Sequence, residues 1–144
     1  MFDRILVPTD GSELSTGAAL RAVALAKTCG AHVTVLLVQD VYPYTGIGSV
    51  NADDLQAYVA KARAEGLSAM DPVAQAAREE GVPVETLVVE NDKPAYGIVE
   101  AAQQSGAKLI AMGSHGRGGI ARLILGSVAA EVLALSPVPV LVFK

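Results

Sequence analysis

The residues best placed to do chemistry lie in Gly113–Ser127, GSHGRGGIARLILGS. Two residues separate Gly113 from Gly116, nine separate Gly116 from Gly126, and Ser127 follows at once. A short apolar run, Lys108-Leu109-Ile110-Ala111-Met112, leads in, and a helix-like run, Ser127 to Leu133, leads out. A strand passing through a glycine-rich loop into a helix start turns backbone N–H groups toward an anion. Glycine lets that backbone bend sharply and approach a phosphate with no Cβ in between. The chemistry this pattern supports is phosphate binding, and a nucleotide is the expected ligand.

Such a loop needs a frame, and the rest of the chain supplies one. Arg4-Ile5-Leu6-Val7-Pro8 reads as a buried strand. Asp10-Gly11-Ser12 offers turn and N-cap chemistry, with Glu13 well placed in a first helical turn. Leu14, Ala18, Ala22, Leu25 and Cys29 recur at helical spacing, Cys29 as a buried helix-face residue, and Gly30 closes the helix. Val33 to Val38 is the plainest strand, and Gln39 to Val50 reads as a loop in which Tyr42 and Tyr44 pack. A long helical pattern runs from Leu55 to Ala77 and ends at Gly81. Within it Pro72 either kinks one helix or, with Asp71, starts a second. Val84 to Val89 is a third strand, Pro94 to Ser105 a helix with Ile98, Ala101 and Ala102 inward, and Leu109 to Met112 a fourth strand. Val138 to Phe143 is a fifth strand.

Strands alternating with helices predict a single-domain α/β fold over residues 1–144: an open, twisted, five-stranded parallel sheet with helices on both faces, Rossmann-like in plan. Ligands of such sheets bind beyond the strand carboxyl ends where the strand order reverses. Those ends are Pro8-Thr9-Asp10, Val38-Gln39-Asp40 and Met112-Gly113, which converge on one crevice if the order reverses beside the first strand.

Composition narrows the partners. At 144 residues the chain can bury about 68–70% of its unfolded surface, enough for an unstapled core. Aromatics make up only 4%, so Val, Leu, Ile and Ala must build that core. A net charge of −4 argues against a nucleic-acid partner. One cysteine rules out an intramolecular disulfide, and neither a signal-peptide pattern nor an 18-residue apolar span is visible, so no membrane partner and a cytoplasmic location are expected.

Other nucleotide motifs are missing: there is no G-x4-G-K-[S/T], and PTDGSELS lacks G-x-G-x-x-G. A receiver-domain reading fails because Asp92 is displaced from the third strand and Asp10 has no acidic neighbour. His115 reads as a solvated loop histidine, Arg117 and Arg122 as surface charges that can assist a phosphate, and Asp53-Asp54 as the N-terminal charge of a helix, not a metal site. Asp10 can cap a helix and touch a ligand at once. Hydrolysis needs a group that positions water. Only His115 and Asp10 are candidates and neither has an evident partner, so no catalytic residue is assigned.

The opening ILVPTDGS and the closing GSHGRGGIARLILGS…SPVPVLVFK resemble the universal stress protein family of adenine-nucleotide-binding α/β proteins, and the order of elements between them agrees over the whole chain. The complete G-x2-G-x9-G-S motif implies membership of the ATP-binding branch. The resemblance implies contacts from Pro8, Thr9, Asp10, Val38, Met112, Gly113, Ser114, Gly116, Arg117, Gly126, Ser127 and Val128. Among these, Asp10 meets the ribose or adenine side and Val38 meets adenine through its backbone. Gly113 and Gly116 border the ribose and phosphates, and Gly126, Ser127 and Val128 hold the phosphates. The resemblance also implies Mg2+ bridging the phosphates, and the loop Arg117–Leu125 is expected to close over them.

The function implied is an ATP-binding stress-response regulator whose nucleotide occupancy modulates conformation or an unknown protein partner. The alternatives are a slow ATPase or autophosphorylating protein, acting on Ser127 or Ser114, and an interaction module that ignores the nucleotide. The last predicts a broken glycine motif, and this one is intact. The final strand, Val138–Phe143, would lie at a sheet edge, and an exposed apolar edge is normally covered. A homodimer pairing these strands antiparallel is expected.

Overall fold

The computed structural model describes residues 1–40, 52–115 and 125–144. Their elements run β1 (Arg4–Pro8), α1 (Glu13–Cys29), β2 (His32–Gln39), α2 (Ala52–Glu79), β3 (Val84–Glu90), α3 (Pro94–Ser105), β4 (Leu109–Gly113), α4 (Ser127–Leu135) and β5 (Val140–Phe143). The five strands form one sheet in the order β3-β2-β1-β4-β5, every neighbouring pair parallel. The order therefore reverses between β1 and β4, beside the first strand, as the crevice requires.

Alternation along the central strands feeds two cores. Ile5 and Val7 of β1, Val33 and Val35 of β2 and Leu109 and Ala111 of β4 pack with Ala22 and Val23 of α1 and Met70 and Val73 of α2. Leu6, Leu36, Ile110 and Met112 face the other way, against Ile98 and Ala101 of α3 and Ala129 and Val132 of α4. Leu6 is wholly buried at the sheet centre. Leu6→Ala is expected to lower unfolding free energy by about 2–5 kcal/mol, read as a lowered denaturant midpoint at unchanged slope.

Ser12 caps α1 through its side chain, which accepts the Ser15 N–H. Gly30 ends the helix in the left-handed region at φ 64°, where its N–H reaches the carbonyls of Ala26 and Lys27. The buried face of α1 is Ser15, Ala18, Ala19, Ala22, Val23 and Ala26. This corrects the expected stripe: Leu14 is exposed, and so is Cys29, in the last turn where the helix leaves the sheet. The choice left open at Pro72 resolves as one continuous helix. Pro72 lies on the exposed side of α2, where the backbone bond it removes can be replaced by water. Asp53 and Asp54 occupy the first turn of α2, as expected.

The last strand is shorter than expected, beginning at Val140 and not at Val138. Ser136 explains this: its hydroxyl donates to the Val138 carbonyl at 2.7 Å and accepts the Val138 N–H at 3.1 Å, folding Val138 into a turn. No helix among the described residues is long and apolar enough to cross a membrane.

Candidate functional site

A cleft of about 380 Å³ opens at the carboxyl ends of the strands, at the reversal in strand order. The lower end of the 300–1,000 Å³ range typical of small-molecule sites includes it. Ten of the twelve residues picked out by sequence line it: Pro8, Thr9, Asp10, Val38, Met112, Gly113, Ser114, Gly126, Ser127 and Val128. Gly116 and Arg117 lie outside the described residues, as do Arg122, Tyr42, Tyr44 and nearly all of the loop expected to close over the cleft.

The two ends of the cleft differ in chemistry. On the β2 side the walls are apolar: Leu36, Val38, Pro94 and Ile98. Gly97 brings α3 close here, because a Cβ at this position would stand 3.0 Å from Val38 Cγ1. Of the expected tripeptide Val38-Gln39-Asp40 only Val38 reaches the cleft. The Gln39 amide instead donates to the Ala62 carbonyl at 2.6 Å on α2, over the bare Gly66, and Asp40 is exposed.

On the β4 side the lining comes from the end of β4 and the start of α4. α4 starts after Gly126, whose extended φ of −61° and ψ of 153° mark it as the N-cap, and no side chain caps the helix. The first backbone bond within the helix is from Ala130 N–H to the Gly126 carbonyl, 2.9 Å. The N–H groups of Ser127, Val128 and Ala129 therefore have no partner within the helix, and all three residues line the cleft. This end is held shut at its base: Gly126 N–H donates to the Ser114 carbonyl at 2.8 Å, and Ser114 N–H donates to the Phe143 carbonyl at 2.8 Å. His115, read from sequence as a loop histidine, lies outside the helices and strands, is partly exposed on the cleft wall, and has Nδ1 3.0 Å from the Ser114 hydroxyl.

Between the two ends, following the strand order, stands the end of β1. Asp10 Oδ1 accepts the Ser12 N–H at 2.9 Å and the Ser15 hydroxyl at 2.6 Å. Helix capping at α1 falls to Ser12, which leaves Asp10 on the cleft. Sequence reasoning missed Ser15, Leu36, Pro94, Ile98, His115 and Ala129 as lining residues. Pro94 opens α3 just past the carboxyl end of β3, and that was a usable signal, since helix starts rim such clefts.

The family model described as "Universal stress protein family" matches residues 1–144. Universal stress protein MJ0531 of Methanocaldococcus jannaschii is 39% identical over 144 residues, covering 100% of this chain and 83% of the relative. The solved structure of protein MJ0577 from the same archaeon has a TM-score of 0.83 at 31% identity, covering 100% of this chain and 96% of that one. A universal stress protein from Archaeoglobus fulgidus, solved in complex with dAMP, has a TM-score of 0.66 at 25% identity and full coverage of both chains.

Proposed function

Because the chain belongs to the universal stress protein family, we propose that it is an ATP-binding regulatory protein of the stress response, with nucleotide occupancy modulating its conformation or its partners. The observation that carries this reading is the uncapped N-terminus of α4 opening into the same cleft as an apolar wall. Adenine fits between Val38, Pro94 and Ile98, its edge met by the backbone of Val38. The ribose falls beside Asp10. The phosphates meet Gly113, Ser114 and the N–H groups from Ser127 to Ala129, and the motif residues Gly116 and Arg117, outside the described residues, are proposed as further phosphate contacts. A helix dipole supplies only about 0.3–1 kcal/mol, against about 8 kcal/mol for micromolar binding. Several N–H bonds and the buried base must therefore provide most of the affinity. The A. fulgidus relative's complex with dAMP supports an adenine nucleotide as the ligand class.

The donor set suits Mg2+ arriving with the triphosphate. Among the described residues no group of three or more His, Cys, Asp or Glu gathers to hold a metal, and Asp10 is the one carboxylate on the described cleft wall. Mg2+ is commonly held by one or two carboxylates plus substrate phosphates. When bound, it neutralises phosphate charge beside Asp10. We further place the protein in the cytoplasm as a homodimer joined through its last strand.

Thermal unfolding tests the reading. ATP with Mg2+ at 100 times its Kd stabilises the native state by about 2.7 kcal/mol. The expected rise in Tm is roughly 5–10 °C. An unchanged Tm at millimolar ATP overturns the proposal.

A further inference from the structure

Two hydroxyls under the cleft are more completely engaged than a helix cap requires. Thr9 and Ser15 are 5% and 7% exposed, polar side chains buried at the foot of the site. Ser15 Oγ lies 2.6 Å from Asp10 Oδ1 as donor, 2.8 Å from Thr9 Oγ1, and 3.2 Å from the Asp10 N–H. A hydroxyl has one proton and two lone pairs. With the proton given to the carboxylate, Ser15 must accept from Thr9, and Thr9 Oγ1 in turn accepts the Gly11 N–H at 3.2 Å. The relay Thr9 → Ser15 → Asp10 thus has one consistent direction. None of it is needed to cap α1, because Ser12 already does that.

What the relay fixes is the Asp10 carboxylate. That group can only accept hydrogen bonds, and it stands between an apolar wall and an anion-binding wall. Swung toward the latter it would repel phosphates. Held where it is, it suits a ligand that offers donors between its base and its phosphates, and in a nucleotide those donors are the sugar hydroxyls. We infer that Ser15 is a positioning residue that holds the Asp10 carboxylate to read the sugar hydroxyls of the nucleotide. The inference rests on the nucleotide reading above and adds to it a second residue that sets sugar selectivity.

The test is calorimetric titration of ATP, 2′-deoxy-ATP and 3′-deoxy-ATP into wild type, Ser15→Ala and Val23→Ala. Wild type should bind ATP about ten-fold or more tighter than the weaker of the two analogues, the discrimination expected of a hydrogen bond to a charged group. Ser15→Ala should reduce that ratio to about two-fold or less. Val23→Ala, which loosens the buried face of α1 away from the cleft lining, should keep it. Ser15→Cys retains the volume and a weak donor, should give an intermediate ratio, and carries the test if Ser15→Ala does not fold. If wild type binds all three equally, or Ser15→Ala keeps the full ratio, the inference is wrong while the nucleotide reading stands. Equal collapse in Val23→Ala also overturns it, since general loosening then explains the loss. Absence of ATP binding by wild type removes the nucleotide reading and this inference together.

Discussion

Gly126→Val is expected to lower affinity for ATP by at least 100-fold, about 2.7 kcal/mol, while leaving the sheet folded. A Cβ at position 126 would stand 2.6 Å from the Ser114 carbonyl oxygen and 3.4 Å from His115 Cα. Both are backbone neighbours, so no side chain can turn aside. To admit the valine, the start of α4 must separate from the end of β4, breaking the 2.8 Å bond from Gly126 N–H to the Ser114 carbonyl. The N–H groups of Ser127, Val128 and Ala129 then no longer converge with Gly113 on one anion. The global cost is smaller, about 1–3 kcal/mol for a local overpacking. Gly17→Ala is the matching control: it lies on the exposed side of α1 with nothing within 4 Å of an added Cβ. It should leave ATP affinity unchanged and raise stability by up to about 1 kcal/mol through helix propensity. Titration of both variants, with circular dichroism to verify folding, checks the pair of outcomes.

Val142→Lys is expected to convert the proposed homodimer to monomers. The sheet has two edges, and they differ. β3 carries Glu85 and Glu90 on its exposed positions, and Glu85 also accepts the Thr34 hydroxyl at 2.9 Å. Charge on an edge strand discourages pairing with another chain. β5 is Val-Leu-Val-Phe, every residue half-exposed, with no charge among the four. Beside it, Leu133 and Leu135 of α4 are 45% and 40% exposed. Four residues give a short ladder, so these leucines must contribute much of the buried apolar area. Val142 is the cleaner probe because Val140 packs into the core under α3 and α4, whereas Val142 belongs to neither core cluster. Light scattering should give twice the 14.8 kDa chain mass for wild type and the chain mass for the variant. An unchanged mass places the interface elsewhere.

The parts of this fold most legible in sequence are those fixed by local chemistry. Strand runs such as Val33–Val38, the cap at Ser12 and the stops at Gly30 and Gly81 all mark element boundaries that the structure keeps, both glycines at positive φ. The convergence of Pro8–Asp10 and Met112–Gly113 was legible too, and of Val38–Asp40 in its first residue, because a parallel sheet puts strand ends together once its order reverses. What was missed depends on tertiary contacts. Periodicity alone placed Leu14 and Cys29 inward. The buried face of α1 is instead the alanine-rich stripe of Ala18, Ala19, Ala22 and Ala26, which lets the helix sit close to the sheet. Gln39 left the cleft because Gly66 on α2 makes room for its amide, a pairing across 27 positions that no local pattern reveals. Ser15 looked like an ordinary helix residue. Its role appears only when the end of β1 folds back over the first turn of α1 and places Asp10 within 2.6 Å.

The most direct test of the central claim is calorimetric titration of ATP and AMP, with and without Mg2+, into protein stripped of bound nucleotide. Saturable ATP binding at one site per chain, tightened by Mg2+ for ATP and little changed by it for AMP, is the predicted result. No heat of binding from either nucleotide, in protein that unfolds cooperatively, would contradict it and return the chain to a nucleotide-independent interaction module.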